Sequence, residues 1–156
     1  MGLESKIDFS HIKIEGDYYL AHPFLSREKI REWELGFEQR AGIKLVNPFY
    51  DIIRDDVALI DSGKEKRGER EPAIIVERDL YAISKVRKGV IAVIDGSSSQ
   101  GTIMEIVYAK KLFQKEVLSI ITNGDHDRPW LRYHSDRIFT SFEGFERWWN
   151  QDALLK

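Results

Sequence analysis

The chain has 156 residues, 42% hydrophobic and 32% charged, with a formal net charge of -2. That length suits a single domain with a real core, and the balanced charge argues against a nucleic-acid polymer as the main partner. It has no cysteine, so disulfides, thiolate catalysis and Cys-ligated zinc are excluded. The charged start, through Asp17, carries no apolar secretory core, and no apolar run approaches the ~20 residues of a membrane span, so a soluble cytoplasmic protein is expected.

Taken in chain order, Tyr18–Ala21 reads as the first core strand. Ser26 stands as an N-cap before Arg27-Glu28-Lys29, and Ile30, Trp33, Leu35 and Phe37 give the following helix its apolar positions, ending near Gly42. Ile43–Val46 reads as the second strand, stopped by Asn47-Pro48. The stretch from Tyr50 to Pro72 is rich in charge and reads as a mobile loop, with a short helix at Ile52–Leu59 as an addition. It is equally a solvated insertion or a lid over a site. Val76, Leu80, Ile83 and Val86 predict a helix over Ile74–Val86, with Asp79 one step round from the apolar stripe.

Val90–Ile94 predicts a buried strand, Asp95–Gly101 a loop of small polar residues, and Thr102–Phe113 a helix with Glu105 in its first turn. Val117–Ile121 reads as the fourth strand, Asn123–Arg128 as a turn-rich loop, Arg137–Phe139 as a short fifth strand and Phe142–Trp149 as an aromatic closing helix. Strands alternating with helices imply an α/β parallel sheet of about five strands covered on both faces.

The loop and helix around Gly96–Glu105 carry the densest chemical signal. A Gly/Ser loop leading into a helix N-terminus favours anions, and a carboxylate near it stays ionised, which makes Glu105 a candidate nucleophile. Gly96–Thr102 is not a triphosphate loop, because Thr102 stands where GxxxxGK[ST] needs Lys. It is not a serine-hydrolase elbow either, because Gln100 replaces the second Gly of GxSxG. The plain alternative is an ordinary strand-to-helix turn, with Glu105 and Asp79 as unremarkable helix carboxylates. The four histidines (His11, His22, His126 and His134) show no metal-ligand spacing, and no metal or cofactor is expected.

Three segments resemble the nucleoside 2-deoxyribosyltransferase family. Tyr19-Leu20-Ala21-His22-Pro23-Phe24 is similar to its YLAGPF opening. Asp95-Gly96 with Gly101-Thr102 and Glu105-Ile106-Val107-Tyr108-Ala109 is similar to its DG…GTxxEIGYA signature, and Arg78-Asp79-Leu80 matches its DL segment. The resemblance implies a flavodoxin-like sheet and cleavage of the N-glycosidic bond of 2'-deoxynucleosides or their 5'-monophosphates. By their matches, Glu105 is the nucleophile and Asp79 assists the departing base. Tyr19 orients Glu105, with Tyr18 as the alternative if the strand register is shifted by one. His22, Phe24, Asp95, Gly96, Ser97, Ser99 and Gly101 would contact substrate. Arg128 and Arg132 lie where a neighbouring subunit of a homodimer would complete the site, an assembly also suggested by the aromatic residues Phe142, Phe145, Trp148 and Trp149.

This chain also departs from the family pattern. Ser99 stands six residues before Glu105, where the transferases have Asp, and resembles the 5'-monophosphate N-hydrolases of the family, whose loop hydroxyls bind phosphate. His22 and Val107 replace family glycines. Three functions follow as expectations: hydrolysis of 2'-deoxynucleoside 5'-monophosphates, base exchange between deoxynucleosides, or a nucleotide-binding module without chemistry. The expected partners are therefore a small deoxynucleoside or deoxynucleotide and a second copy of the chain.

Overall fold

A computed structural model describes residues 7–51 and 72–151. Five strands form one parallel sheet: β1 (Tyr18–Ala21), β2 (Leu45–Val46), β3 (Gly89–Ile94), β4 (Glu116–Ile121) and β5 (Arg137–Phe139). Their spatial order is β2-β1-β3-β4-β5, with every neighbouring pair parallel. This is the flavodoxin-like order, in which the connections reverse direction between β1 and β3 and open a crevice beyond the carboxyl ends of those strands. The register sets Ala21 opposite Ala92, so the loops beginning at His22 and Asp95 leave the sheet side by side.

The alternation of side chains along β1 divides the core into two layers. Tyr19 and Ala21 face α2 (Pro72–Lys85) and α3 (Gln100–Lys111), packing with Leu80, Ile83, Ile106 and Ala109. Tyr18 and Leu20 face α1 (Arg27–Ala41) and α5 (Phe142–Gln151), packing with Ile30, Phe37, Phe145 and Trp149. All six residues of β3 are buried, as a central parallel strand covered on both faces requires. A further short helix, α4 (Pro129–His134), contributes Leu131 to the first layer.

Several expectations need adjustment. The second strand is confined to Leu45–Val46. The helix expected over Ile74–Val86 begins at Pro72, and its apolar stripe holds only from Leu80 onward, since Val76 is 52% exposed. The helix after β3 starts two residues early, at Gln100, so Glu105 lies in its second turn and not its first. The stabilisation of negative charge by the helix dipole fades beyond the first turn, so that reason for an ionised Glu105 is weakened. The helix α4 was not expected at all. The Tyr50–Pro72 expectation and its Ile52–Leu59 helix lie almost wholly outside the described residues.

The closing aromatics pack largely within the chain itself. Phe145 is fully buried and Trp149 nearly so, within the chain's own second layer. Phe37 meets Phe145 at 5.3 Å and Trp149 at 5.4 Å between ring centroids. Trp148 packs on Phe139, with the Arg137 guanidinium over its ring. Phe145 and Trp149 thus belong to the chain's own core, while Phe142 and Trp148 are half-buried against it.

Candidate active site

Tyr19 is fully buried on β1, and its hydroxyl donates to Glu105 Oε2 on α3. The strand before the switch point is thus tied to the helix after it. Tyr18 points to the opposite face, where its hydroxyl donates to Glu116 Oε1 at 2.5 Å, and burial with this carboxylate pushes its pKa up. The register therefore selects Tyr19 as the partner of Glu105. Glu105 itself is half-buried. Asp79 is half-buried on α2, on the same face of the sheet as Tyr19 and Glu105.

The loop from Asp95 to Ser99 is shaped by its own hydrogen bonds. Asp95 Oδ1 accepts from the Ser97 backbone N–H at 3.2 Å, and Gly96 supplies the left-handed φ of 95° that lets the chain turn there. Ser99 Oγ donates to the Ser97 carbonyl at 2.7 Å, so the hydroxyl proton of Ser99 is committed to the loop. Ser97 Oγ instead lies 2.8 Å from Ser26 Oγ, at the start of α1. Ser26 is the N-cap residue of α1 and Ser99 that of α3, and neither hydroxyl caps its own helix. The Ser26–Ser97 pair thus joins the entry to α1 to the loop that leads into α3; α1 continues from a short turn that already bonds the Arg27 N–H to the Phe24 carbonyl, whereas the first turn of α3 carries backbone N–H groups without intrahelical partners. Such a corner can receive an anion. Gly101 has no positive φ, and a Cβ added to it would meet nothing within 4 Å. The chain's own packing does not require glycine there, and the first turn of α3 is open to close approach.

His22 follows β1 directly and is buried, 3% exposed. Its Nε2 lies 3.0 Å from Asn47 Oδ1, and its ring meets Phe49 edge-on at 5.0 Å. Burial pushes its pKa down from 6.5 to about 4, so the ring is neutral near pH 7. Phe24 is half-buried, packs edge-on against Phe49 at 5.4 Å, and carries the Arg27 guanidinium 3.9 Å above its ring. Phe24 and Phe49 thus form an aromatic wall in the loops beyond the carboxyl ends of β1 and β2.

Arg128 is exposed and donates from Nε to Asp125 Oδ1 at 3.3 Å, and Arg132 is exposed on α4. Among the described residues neither arginine shares a hydrogen bond or ion pair with Tyr19, Glu105, Ser26 or Ser97. A cavity of about 500 Å³ between the N-terminal segment and α2 is lined by Phe9, Leu80, Tyr81 and Phe113, and by none of the candidate residues.

Ser26, Asn47 and Phe49 belong to this region without having been expected there. Ser26 was legible only as a cap, because its partner Ser97 is 71 residues away. Asn47 and Phe49 were legible only as a strand stop. The order of the strands, which puts β2 beside β1, is what brings them to the crevice.

No family model matches the chain, and no curated protein matches it. A solved structure described as a 2-deoxyribosyltransferase from the psychrotolerant bacterium Bacillus psychrosaccharolyticus superposes with a TM-score of 0.62 at 16% sequence identity, covering 88% of this chain and 94% of that one. At that identity the likeness establishes the flavodoxin-like fold, and this chain is similar to that enzyme over nearly the whole length of both.

Proposed function

We propose that this protein is an enzyme that cleaves the N-glycosidic bond of 2'-deoxynucleoside 5'-monophosphates, with Glu105 as nucleophile and water as the final acceptor. The observation behind this reading is the Tyr19–Glu105 hydrogen bond at the switch point, together with the Ser26–Ser97 hydroxyl pair in the loops after β1 and β3. The likeness in fold to a 2-deoxyribosyltransferase, together with the three segments that resemble that family, supports the reaction class.

In the first step a Glu105 oxygen attacks the anomeric carbon while the bond from that carbon to the base nitrogen breaks. Asp79 gives the departing base its proton, which matters because a heterocycle leaves poorly as an anion. Tyr19 donates to Oε2 and holds the carboxylate toward the sugar, where its charge stabilises the oxocarbenium-like transition state. The product is a deoxyribosyl ester of Glu105. In the second step water attacks the same carbon, giving its proton to Asp79 and releasing Glu105 as a carboxylate. This is the retaining pattern of glycosidases, with two carboxyl groups in divided roles.

The Ser26 and Ser97 hydroxyls and the N-terminal N–H groups of α3 receive the 5'-phosphate. Asp95 and Gly96 shape the loop that presents them. Phe24 and Phe49 offer ring edges and faces to the base. Arg128 and Arg132 add charge from a second copy of the chain. A second reading, base exchange between free deoxynucleosides, is favoured by the described activity of the similar structure.

Chromatographic analysis of base release tests both readings. Each 2'-deoxynucleoside and each 5'-monophosphate is incubated with and without a second free base. Release from monophosphates alone, without an acceptor, is the expected result. A new nucleoside formed only when a second base is present would make base exchange the activity. Nucleotide binding with no release of base would leave a binding module.

A further inference from the structure

Beneath the aromatic wall lies a buried polar chain that the proposed chemistry does not use. Asn47, at the end of β2, is fully buried. Its Oδ1 accepts from the Phe49 backbone N–H at 3.0 Å and faces His22 Nε2 at 3.0 Å, while its Nδ2 donates to Glu34 Oε1 at 3.0 Å. Glu34, on α1, is also fully buried, and the same oxygen receives Arg31 at 2.7 Å. The amide orientation is set by these partners: its oxygen meets a backbone N–H and its nitrogen meets a carboxylate. His22 must then carry its proton on Nε2 and donate it to Asn47. Nδ1 holds a lone pair, and its 3.4 Å approach to the Pro23 carbonyl is a contact between two acceptors.

Burying an imidazole and a carboxylate is unfavourable, and an apolar pair would fill the same volume more cheaply. What an apolar pair cannot do is fix two loops in one register. The loop after β1 (His22, Pro23, Phe24) and the loop after β2 (Asn47, Pro48, Phe49) are joined at the His22–Asn47 hydrogen bond. Phe49 packs on both His22 and Phe24.

We infer that His22 is a positioning residue acting through Asn47, which sets the Phe24–Phe49 wall and thereby the affinity for substrate, without touching the reacting atoms. This rests on the proposed function for the identity of the substrate, and the wall is set for its base.

The test compares His22→Ala, His22→Asn, which is too short to reach Asn47, and His22→Gln, whose amide can donate to Asn47. KM and kcat are measured with 2'-deoxynucleoside 5'-monophosphates, alongside calorimetric Kd values for the same compounds. The expected result is a KM and Kd raised about tenfold in His22→Ala, with kcat changed less than threefold and most of the affinity restored in His22→Gln. His22→Ala added to Asn47→Ala should raise KM little further, because His22 acts through Asn47. If His22→Ala does not fold, His22→Asn against His22→Gln gives the same comparison. A loss of kcat at unchanged KM, a His22→Gln variant no better than His22→Asn, or a lowered Tm with unchanged KM and Kd would each overturn the inference. If the wild-type protein binds these nucleotides and releases no base, the functional reading fails, and the Kd series still decides the role of His22. Failure of the wild-type protein to bind any of them overturns both.

Discussion

The Tyr19 hydroxyl, on β1, donates to Oε2 of Glu105, on α3, and so joins the two elements that flank the switch point of the sheet. Tyr19 is fully buried while Glu105 is half-buried, so the phenol is fixed by the core and the carboxylate is held from below. Glu105→Gln should abolish base release while leaving nucleotide binding within a few-fold. Tyr19→Phe keeps the ring and removes the donor, and a hydrogen bond to a charged group contributes roughly 1.5–3 kcal/mol. Its kcat should therefore fall roughly ten- to hundred-fold with a smaller change in KM, measured by steady-state kinetics.

Ser26 stands at an N-cap position, yet its hydroxyl partners Ser97 and not its own helix. A capping serine replaced by alanine typically loses about 1 kcal/mol. Ser26→Ala should lose less than that, because no capping bond is removed. Ser26→Ala and Ser97→Ala should instead raise KM for 5'-monophosphates several-fold and leave KM for the unphosphorylated nucleosides nearly unchanged. Thermal denaturation and paired KM measurements check the two halves of this expectation.

Gly101 offers the converse case. Nothing lies within 4 Å of a Cβ placed there, and its backbone is not in the left-handed region. Gly101→Ala should be neutral or stabilising by about 0.5 kcal/mol, through reduced freedom of the unfolded chain. The added methyl would stand at the first turn of α3, where the phosphate is proposed to sit. Weakened monophosphate binding at equal or higher Tm is the expected outcome, read by calorimetry and thermal melts.

The buried His22 gives the stability a pH dependence. Its folded pKa is lowered from 6.5 to about 4, so the unfolded chain binds more protons between those values. Its contribution is complete above pH 6.5 and is lost as pH falls toward 4. Between pH 7 and pH 5 the loss is on the order of 2 kcal/mol. Glu34 works in the opposite sense, since burial raises its pKa and its contribution is lost as pH rises. The His22→Gln variant isolates the histidine: its Tm deficit relative to the wild-type protein at pH 7 should shrink by several degrees at pH 5.

Much of this was legible because local pattern and global topology agree. Strands at Tyr18–Ala21 and Arg137–Phe139 were read at their observed bounds, from short apolar runs set between turn signals. Glu105 and Tyr19 were legible through segments that resemble a family, and strand alternation then decides between Tyr19 and Tyr18. What escaped depends on contacts distant in sequence. Asn47 meets Glu34 and His22 across 13 and 25 residues, and Ser26 meets Ser97 across 71. A buried glutamate at position 34 is indistinguishable, in sequence, from the exposed charges around it. The helix Pro129–His134 is too short to show a period, although Pro129 at its first position was a usable signal.

The most direct measurement is the intact mass of the protein after rapid acid quench during turnover of a 2'-deoxynucleoside 5'-monophosphate, with peptide mapping of any adduct. The expected result is a deoxyribosyl-phosphate adduct on Glu105, absent in Glu105→Gln, which should also release no base. Base release by Glu105→Gln at the wild-type rate, or an adduct mapped to another residue, would contradict Glu105 as the nucleophile.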